Sequence, residues 1–223
     1  MSKAPDIGVI LDRAIKEKAS DIIITSGAPP VFCINGKMMR YGNDALTAEE
    51  TQVMVYAAID NNQAAVFERD RELDFSFTFK ENHRFRANVF WQRGAVGAAF
   101  RLIANNIPSI EALGLPLVLK EFADAKQGLV LVTGPTGHGK STTLAAMIDY
   151  VNRSRACHIV TIEDPIEFVH ANRCSVVEQR EVGMDTHSFA AGVRHVLRQA
   201  PNIVMVGEMR DLETISSSLT SAE

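Results

Sequence analysis

The sequence predicts an α/β chain of two unlike parts. A small first domain is built on an antiparallel sheet, and a second domain has a mainly parallel sheet around a phosphate-binding loop. Three observations predict this. In the first hundred or so residues, apolar and polar residues alternate in segments separated by short turns, the period of strands covered on one face. Beyond residue 117, short unbroken apolar runs alternate with stretches of helical period, as strands covered on both faces do. Between the first such run and the first such helix stands Gly134-Pro135-Thr136-Gly137-His138-Gly139-Lys140-Ser141, a G-x-x-x-x-G-K-S loop.

The elements follow in order. Ile7, Ile10, Leu11, Ala14 and Ile15 recur at helical spacing and open the chain with an amphipathic helix. Ile22 to Thr25 is a β-branched strand broken by Gly27 and Pro29-Pro30. Val31 to Ile34 is a second strand, ending at the turn signal Asn35-Gly36. Thr47 with Glu50 forms a capping box, so a helix runs from there to about Ile59. Leu73, Phe75, Phe77 and Phe79 alternate with polar residues, and so do Phe85, Ala87, Val89 and Trp91, then Phe100 and Leu102. We place the first domain at residues 1–103. A linker rich in Asn and Pro with Gly114 covers 104–116, and the second domain covers 117–223.

In the second domain, Gly128 to Thr133 reads as a buried strand leading into the loop. Leu144, Met147, Ile148 and Val151 mark the helix after it. His158 to Ile162 is another buried strand, ending in Glu163-Asp164-Pro165. Phe189, Val193, Val196 and Leu197 give a helix, and Ile203 to Val206 gives a third strand, ending in Gly207-Glu208. Asp211 reads as the cap of a last helix.

Bulk properties narrow the functions. The 223 residues carry a net charge of −4, without the basic excess of a nucleic-acid binder. No apolar run approaches the roughly 20 residues that span a bilayer. Cys33, Cys157 and Cys174 lie far apart without metal-ligand spacing, and read as packing thiols in a reducing compartment.

The loop carries the chemistry. Gly134, Gly137 and Gly139 free the backbone so that several N–H groups converge on one anion. Pro135, Thr136, His138 and Thr142 complete the cradle, His138 as a tolerated variant. Lys140 brings a charge to the β- and γ-phosphates of ATP, and the Ser141 hydroxyl is a Mg2+ ligand. The phosphates sit on a helix N-terminus, where unpaired N–H groups favour anions. In open α/β sheets ligands lie beyond the carboxyl ends of strands, where Glu163 and Glu208 stand. One could activate the attacking water and the other hold Mg2+ through water; alternatively either is a solvated charge or a helix cap.

A two-residue turn at Arg93-Gly94 would set Arg86 directly across from Arg101. Facing like charges are unfavourable unless an anion lies between them, and the γ-phosphate of a neighbouring subunit's nucleotide would serve. The alternative is a solvated sheet face balanced by Glu72 and Asp74.

Several segments together resemble a known family. GLVLVTGPTGHGKSTTLAAMIDYVN, HIVTIEDPIEFVH, EQREVGMDTHSF, NIVMVGEMRDLETI, SDIIITSGAPPVFCINGK and RFRANVFWQRGAVGAAFR resemble the type IV pilus retraction ATPases, the PilT group of secretion ATPases. The resemblance implies a PAS-like α/β N-terminal domain followed by a RecA-like P-loop ATPase domain, incomplete here. It puts the family's Asp-box glutamate on Glu163 and its Walker B glutamate on Glu208. It puts the arginines that reach nucleotide phosphates on Arg86 and Arg101. It implies ATP and Mg2+, a homo-hexamer, an inner-membrane pilus platform protein as partner, a cytoplasmic place at that membrane's face, no nucleic acid, and pilus retraction in twitching motility. An auxiliary retraction paralogue and a pilus-assembly or type II secretion ATPase share these motifs. The family's His-box and C-terminal domain would follow Glu223, so we expect a truncated chain that binds nucleotide but hydrolyses it poorly, a non-catalytic subunit.

Overall fold

The computed structural model describes residues 6–80, 83–103 and 106–222. The chain divides into two compact units, residues 1–103 and 104–223. In the first unit, α1 (Ile7–Lys16) leads to β1 (Asp21–Ile24), β2 (Val31–Ile34) and β3 (Lys37–Arg40). Then come α2 (Ala48–Tyr56), α3 (Asn61–Asp70), β4 (Glu72–Phe79), β5 (His83–Gln92) and β6 (Ala95–Leu102). The six strands form one sheet in the order β3-β2-β1-β6-β5-β4, with every pair antiparallel.

Local chemistry accounts for these elements. Asp6 caps α1 by accepting from the Gly8 N–H at 2.8 Å. The Thr47–Glu50 capping box forms in both directions, at 3.1 and 2.8 Å. A second box, Asp60 with Gln63, starts α3, a helix the sequence analysis did not assign. Arg93 and Gly94 both take positive φ, 49° and 78°, as the tight turn between β5 and β6 requires. That turn fixes the register, so Phe85, Ala87 and Val89 point inward with Phe100. Ile22, Ile24 and Phe67 join them in the core.

The second unit contains α4 (Val118–Asp124), α5 (Lys140–Ser154), β7 (His158–Glu163), β8 (Val176–Glu181), α6 (Phe189–Val196), β9 (Ile203–Val206) and α7 (Leu212–Ala222). Its sheet runs β8-β7-β9, all parallel. The central strand β7 is sandwiched. Val160 and Ile162 pack on Val193 and Val196 of α6, while Ile159 packs on Ile148 and Val151 of α5. Period two therefore turns Thr161 and Glu163 to the α5 side, toward the loop that begins that helix.

The segment expected to link the domains begins with residues 104 and 105, which lie outside the described residues. The part that is described packs within the second unit, with Ile110 buried against Ala146 and Met147. The run from Gly128 to Thr133 departs from expectation. It forms no strand, and Leu129, Val130 and Leu131 are 43%, 40% and 58% exposed. Apolar character signals a demand for burial, but a strand also needs a ladder partner. Among the described residues the sheet ends at β9, and nothing pairs with this run.

Candidate functional site

The phosphate loop connects that exposed run to α5. Gly137 and Gly139 take φ of 79° and 82°, left-handed values that a side chain resists. Gly139 is the N-cap of α5, and no side chain closes the helix end. The first turn of α5 carries no acidic residue. Unpaired N–H groups and the helix dipole thus face outward toward an anion. The loop closes on itself: Lys140 Nζ donates to the Pro135 carbonyl at 2.9 Å, and His138 Nδ1 lies 3.0 Å from the Thr136 carbonyl. Thr143 Oγ1 donates to the Gly139 carbonyl at 2.9 Å. Gly134, Pro135, Thr136 and His138 are exposed, and Thr142 is half-buried.

Glu163 ends β7 and is 7% exposed. Thr161 Oγ1 donates to its Oε1 at 2.6 Å and Gln179 Nε2 at 3.0 Å. Burial pushes its pKa above the usual glutamate value, against the opposing pull of these bonds. Gln179 also fixes the loop beyond β7, donating to the Phe168 carbonyl at 2.8 Å and accepting from the His170 N–H at 2.7 Å.

Two contacts bring the parts together. Ser141 Oγ donates to Glu167 Oε1 at 3.0 Å, joining α5 to the loop that follows Glu163. Gly207 N–H donates to the Ile162 carbonyl at 2.8 Å. A Cβ on Gly207 would lie 3.3 Å from that carbonyl oxygen and 3.4 Å from the Glu163 Cα, so glycine permits the close approach. Glu208 follows directly, half-buried and ion-paired with Arg210. Ser141, Glu163 and Glu208 therefore gather at one end of the parallel sheet.

Arg86 and Arg101 belong to the first unit and face each other across β5 and β6. Both are exposed. Arg101 Nε is held by Asp21 Oδ1 at 2.7 Å, a partner on β1 rather than Glu72 or Asp74. Asp74 instead accepts from Asn88 at 3.2 Å. Asp211 accepts from the Thr214 N–H at 2.7 Å, as a cap for α7 does.

Sequence reasoning missed Glu167, Gln179 and Thr161. The third acid of the run Glu163-Asp164-Pro165-Ile166-Glu167 was a visible signal, and so was Thr161, two residues before Glu163 on the same strand face; Gln179 is evident only once β7 and β8 pair.

A divalent cation would fit here. Ser141 and the carboxylates offer hard oxygen donors, the type Mg2+ prefers. Among the described residues no cluster of three or more His, Cys, Asp or Glu could hold a metal alone. Phosphate and water would supply most ligands, as is usual for Mg2+ in nucleotide sites.

Known proteins bear on this arrangement. A family model described as type II/IV secretion system protein matches residues 2–223. The chain is 46% identical to the type IV pilus retractation ATPase PilT of Pseudomonas aeruginosa over 98% of its length and 63% of that protein's. It is 42% identical to the type IV pilus ATPase PilU of the same organism, over 96% of this chain and 56% of that one. Among solved structures, the pilus retraction motor PilT with bound ADP superposes with TM-score 0.90 at 48% identity, covering 98% of this chain and 64% of the other. The Legionella pneumophila ATPase DotB gives TM-score 0.80 at 32% identity, covering the whole of this chain and 65% of the other. The chain thus spans less than two thirds of each of these relatives. The fold is that of a PilT-like secretion ATPase, α/β throughout, with a partial RecA-like ATPase domain.

Proposed function

The chain belongs to the type II/IV secretion system protein family, and from that premise we propose that it is an ATP-binding and ATP-hydrolysing subunit of a motor that retracts type IV pili. It works as a homo-hexamer at the cytoplasmic face of the inner membrane, against a platform protein there. The observation that carries this reading is the Ser141–Glu167 hydrogen bond, which ties the phosphate-loop helix to the loop that follows the buried Glu163. The similarity to PilT supports retraction in particular.

Each residue has a task. The amides of residues 137–141 cage the phosphates, and Lys140 leaves the Pro135 carbonyl to meet them. Mg2+, when bound, neutralises charge developing on the transferring phosphoryl group. Ser141 would offer that ion a hydroxyl oxygen, and Glu208 would help hold it through water. Glu163, held by Thr161 and Gln179 and with its pKa raised by burial, accepts the proton of the attacking water. Arg86 and Arg101 stabilise the phosphates bound by a neighbouring subunit.

The test separates binding from chemistry. The chain should bind ATP in calorimetry, and Lys140→Ala should weaken binding about tenfold or more. Glu163→Gln should keep binding while slowing phosphate release by about 100-fold or more in the assembled motor. Binding that is indifferent to Lys140 overturns the reading. A second reading is favoured by the exposure of Leu129 to Leu131 beside the loop. By itself this chain is then a nucleotide-binding, non-catalytic subunit, and binding without phosphate release marks that case. An auxiliary role beside an intact motor is supported by the similarity to PilU.

A further inference from the structure

We propose that His138 couples nucleotide binding to the uptake of a proton: its imidazole, fixed in the phosphate loop by the Thr136 carbonyl, carries that proton on Nε2 when phosphates are seated. The inference rests on the nucleotide-binding reading above and deepens it.

A neutral imidazole has one N–H and one bare nitrogen, and its partners decide which is which. His138 Nδ1 lies 3.0 Å from the Thr136 carbonyl oxygen. A carbonyl can only accept, so Nδ1 keeps its hydrogen and donates it. The bare nitrogen of the neutral ring is then Nε2, whose lone pair repels a phosphate oxygen. Only the doubly protonated ring presents an N–H and a positive charge on that side. A favourable interaction with phosphate therefore draws one proton from solvent, and the proton ends on Nε2.

The place of the ring makes this matter. His138 stands between Gly137 and Gly139, whose φ values are 79° and 82°. Left-handed residues in such a run turn successive N–H groups toward one anion. The ring is joined to its own backbone N–H through Cα and Cβ alone. A charge on it therefore lies well inside the roughly 8 Å over which salt leaves charges in contact. His138 is exposed, so solvent reaches it without opening the fold. The charged groups on the elements around the loop are Lys140 on α5, Glu163, Asp164 and Glu167 at and beyond the end of β7, and Glu208 and Arg210 after β9. Among the described residues none of them bonds to the ring: Lys140 bonds to the Pro135 carbonyl, Glu167 to Ser141, and Glu208 to Arg210. These charges, of both signs, are present with and without nucleotide. Binding adds a negatively charged diphosphate, and a nearby opposite charge favours the charged form of a histidine. Histidine is the side chain that ordinarily makes this change between pH 5 and 8.

The experiment measures ADP binding to the full chain by calorimetry in EDTA, at pH 6, 7 and 8 and in two buffers of different ionisation enthalpy. Wild type is compared with His138→Asn. Asparagine keeps an N–H for the Thr136 carbonyl but cannot take up a proton, so a merely structural role would leave the two proteins alike in their response to pH. The titration of ADP itself is common to both and cancels in the comparison. At pH 7 wild type should take up more protons per ADP bound than the variant, by about half a proton. The ratio of wild-type to variant affinity should rise about fivefold or more from pH 8 to pH 6, as one added charge pair implies. His138→Gln, a second ring-free donor, should behave as His138→Asn does. Equal proton uptake, or a ratio that does not change with pH, overturns the inference while the nucleotide site stands. If wild type binds no ADP at any pH, the nucleotide-binding reading fails and takes the inference with it.

Discussion

At the scale of single residues, His170 shows what burial does to a titratable group. Its side chain is buried, its Nδ1 has no partner among the described residues, and its pKa falls to about 4. Desolvation is the main cause; the charge of Asp149 works the other way. The folded state therefore resists protonating a ring that the unfolded chain protonates near 6.5. This stability is fully present above that value and is lost as pH falls from about 6.5 to about 4. Over the whole window the loss is on the order of 3 kcal/mol. Urea midpoints of wild type should therefore drop between pH 7.5 and 5 more steeply than those of His170→Gln. Equal slopes would show that the ring is not the group responsible.

At the scale of elements, the hairpin of β5 and β6 was the most legible part of the fold. Period two and the Arg93-Gly94 turn determine its register without any tertiary information, and Arg86 faces Arg101 as that register requires. The capping box of Thr47 and Glu50 was legible for the same reason: its parts are three residues apart. α3 carried an equally local signal in Asp60 and Gln63, but its largely polar sequence buries only Phe67 and shows little periodicity. The contact of Glu167 with Ser141 had no local signature, since it exists only when α5 packs on β7. Gly207 stands between these cases. The sequence shows a glycine before Glu208, and only the structure supplies the reason, a backbone approach to Ile162 and Glu163. Both nearest atoms belong to the backbone and cannot swing aside. Gly207→Ala should therefore cost about 1–3 kcal/mol in denaturant unfolding. It should also reduce phosphate release more than ATP binding, because it moves Glu163 and Glu208 apart while leaving the loop intact. A variant as stable and active as wild type would mean that the strand end yields freely.

At the scale of the whole molecule, the phosphate loop is anchored unequally. On one side it runs into α5, whose Met147, Ile148 and Val151 are buried. On the other it leaves an apolar run that no strand holds. Nearby chain is also unusually apolar at its surface: Leu117 and Phe122 around α4, and Leu212 and Leu219 on α7, are exposed. Gly128 N–H does bond to the Ala222 carbonyl at 3.2 Å, which ties the start of the run to the end of α7. Beyond that point, among the described residues, no ladder bonds protect residues 129–133. β7, in contrast, is bonded on both edges and covered on both faces. Amide exchange reads this difference directly, because protection follows the free energy of opening. Amides of residues 129–133 should exchange close to the rate of an unstructured peptide, while those of Ile159 to Ile162 exchange only when the second unit opens. Saturating Mg2+ and ATP should slow exchange in residues 137–141, where phosphate takes up the amides, and leave 129–132 nearly unchanged. Protection of the run equal to that of β7 would mean that it is paired in solution. The weak anchor would then no longer support the reading of a non-catalytic, nucleotide-binding subunit.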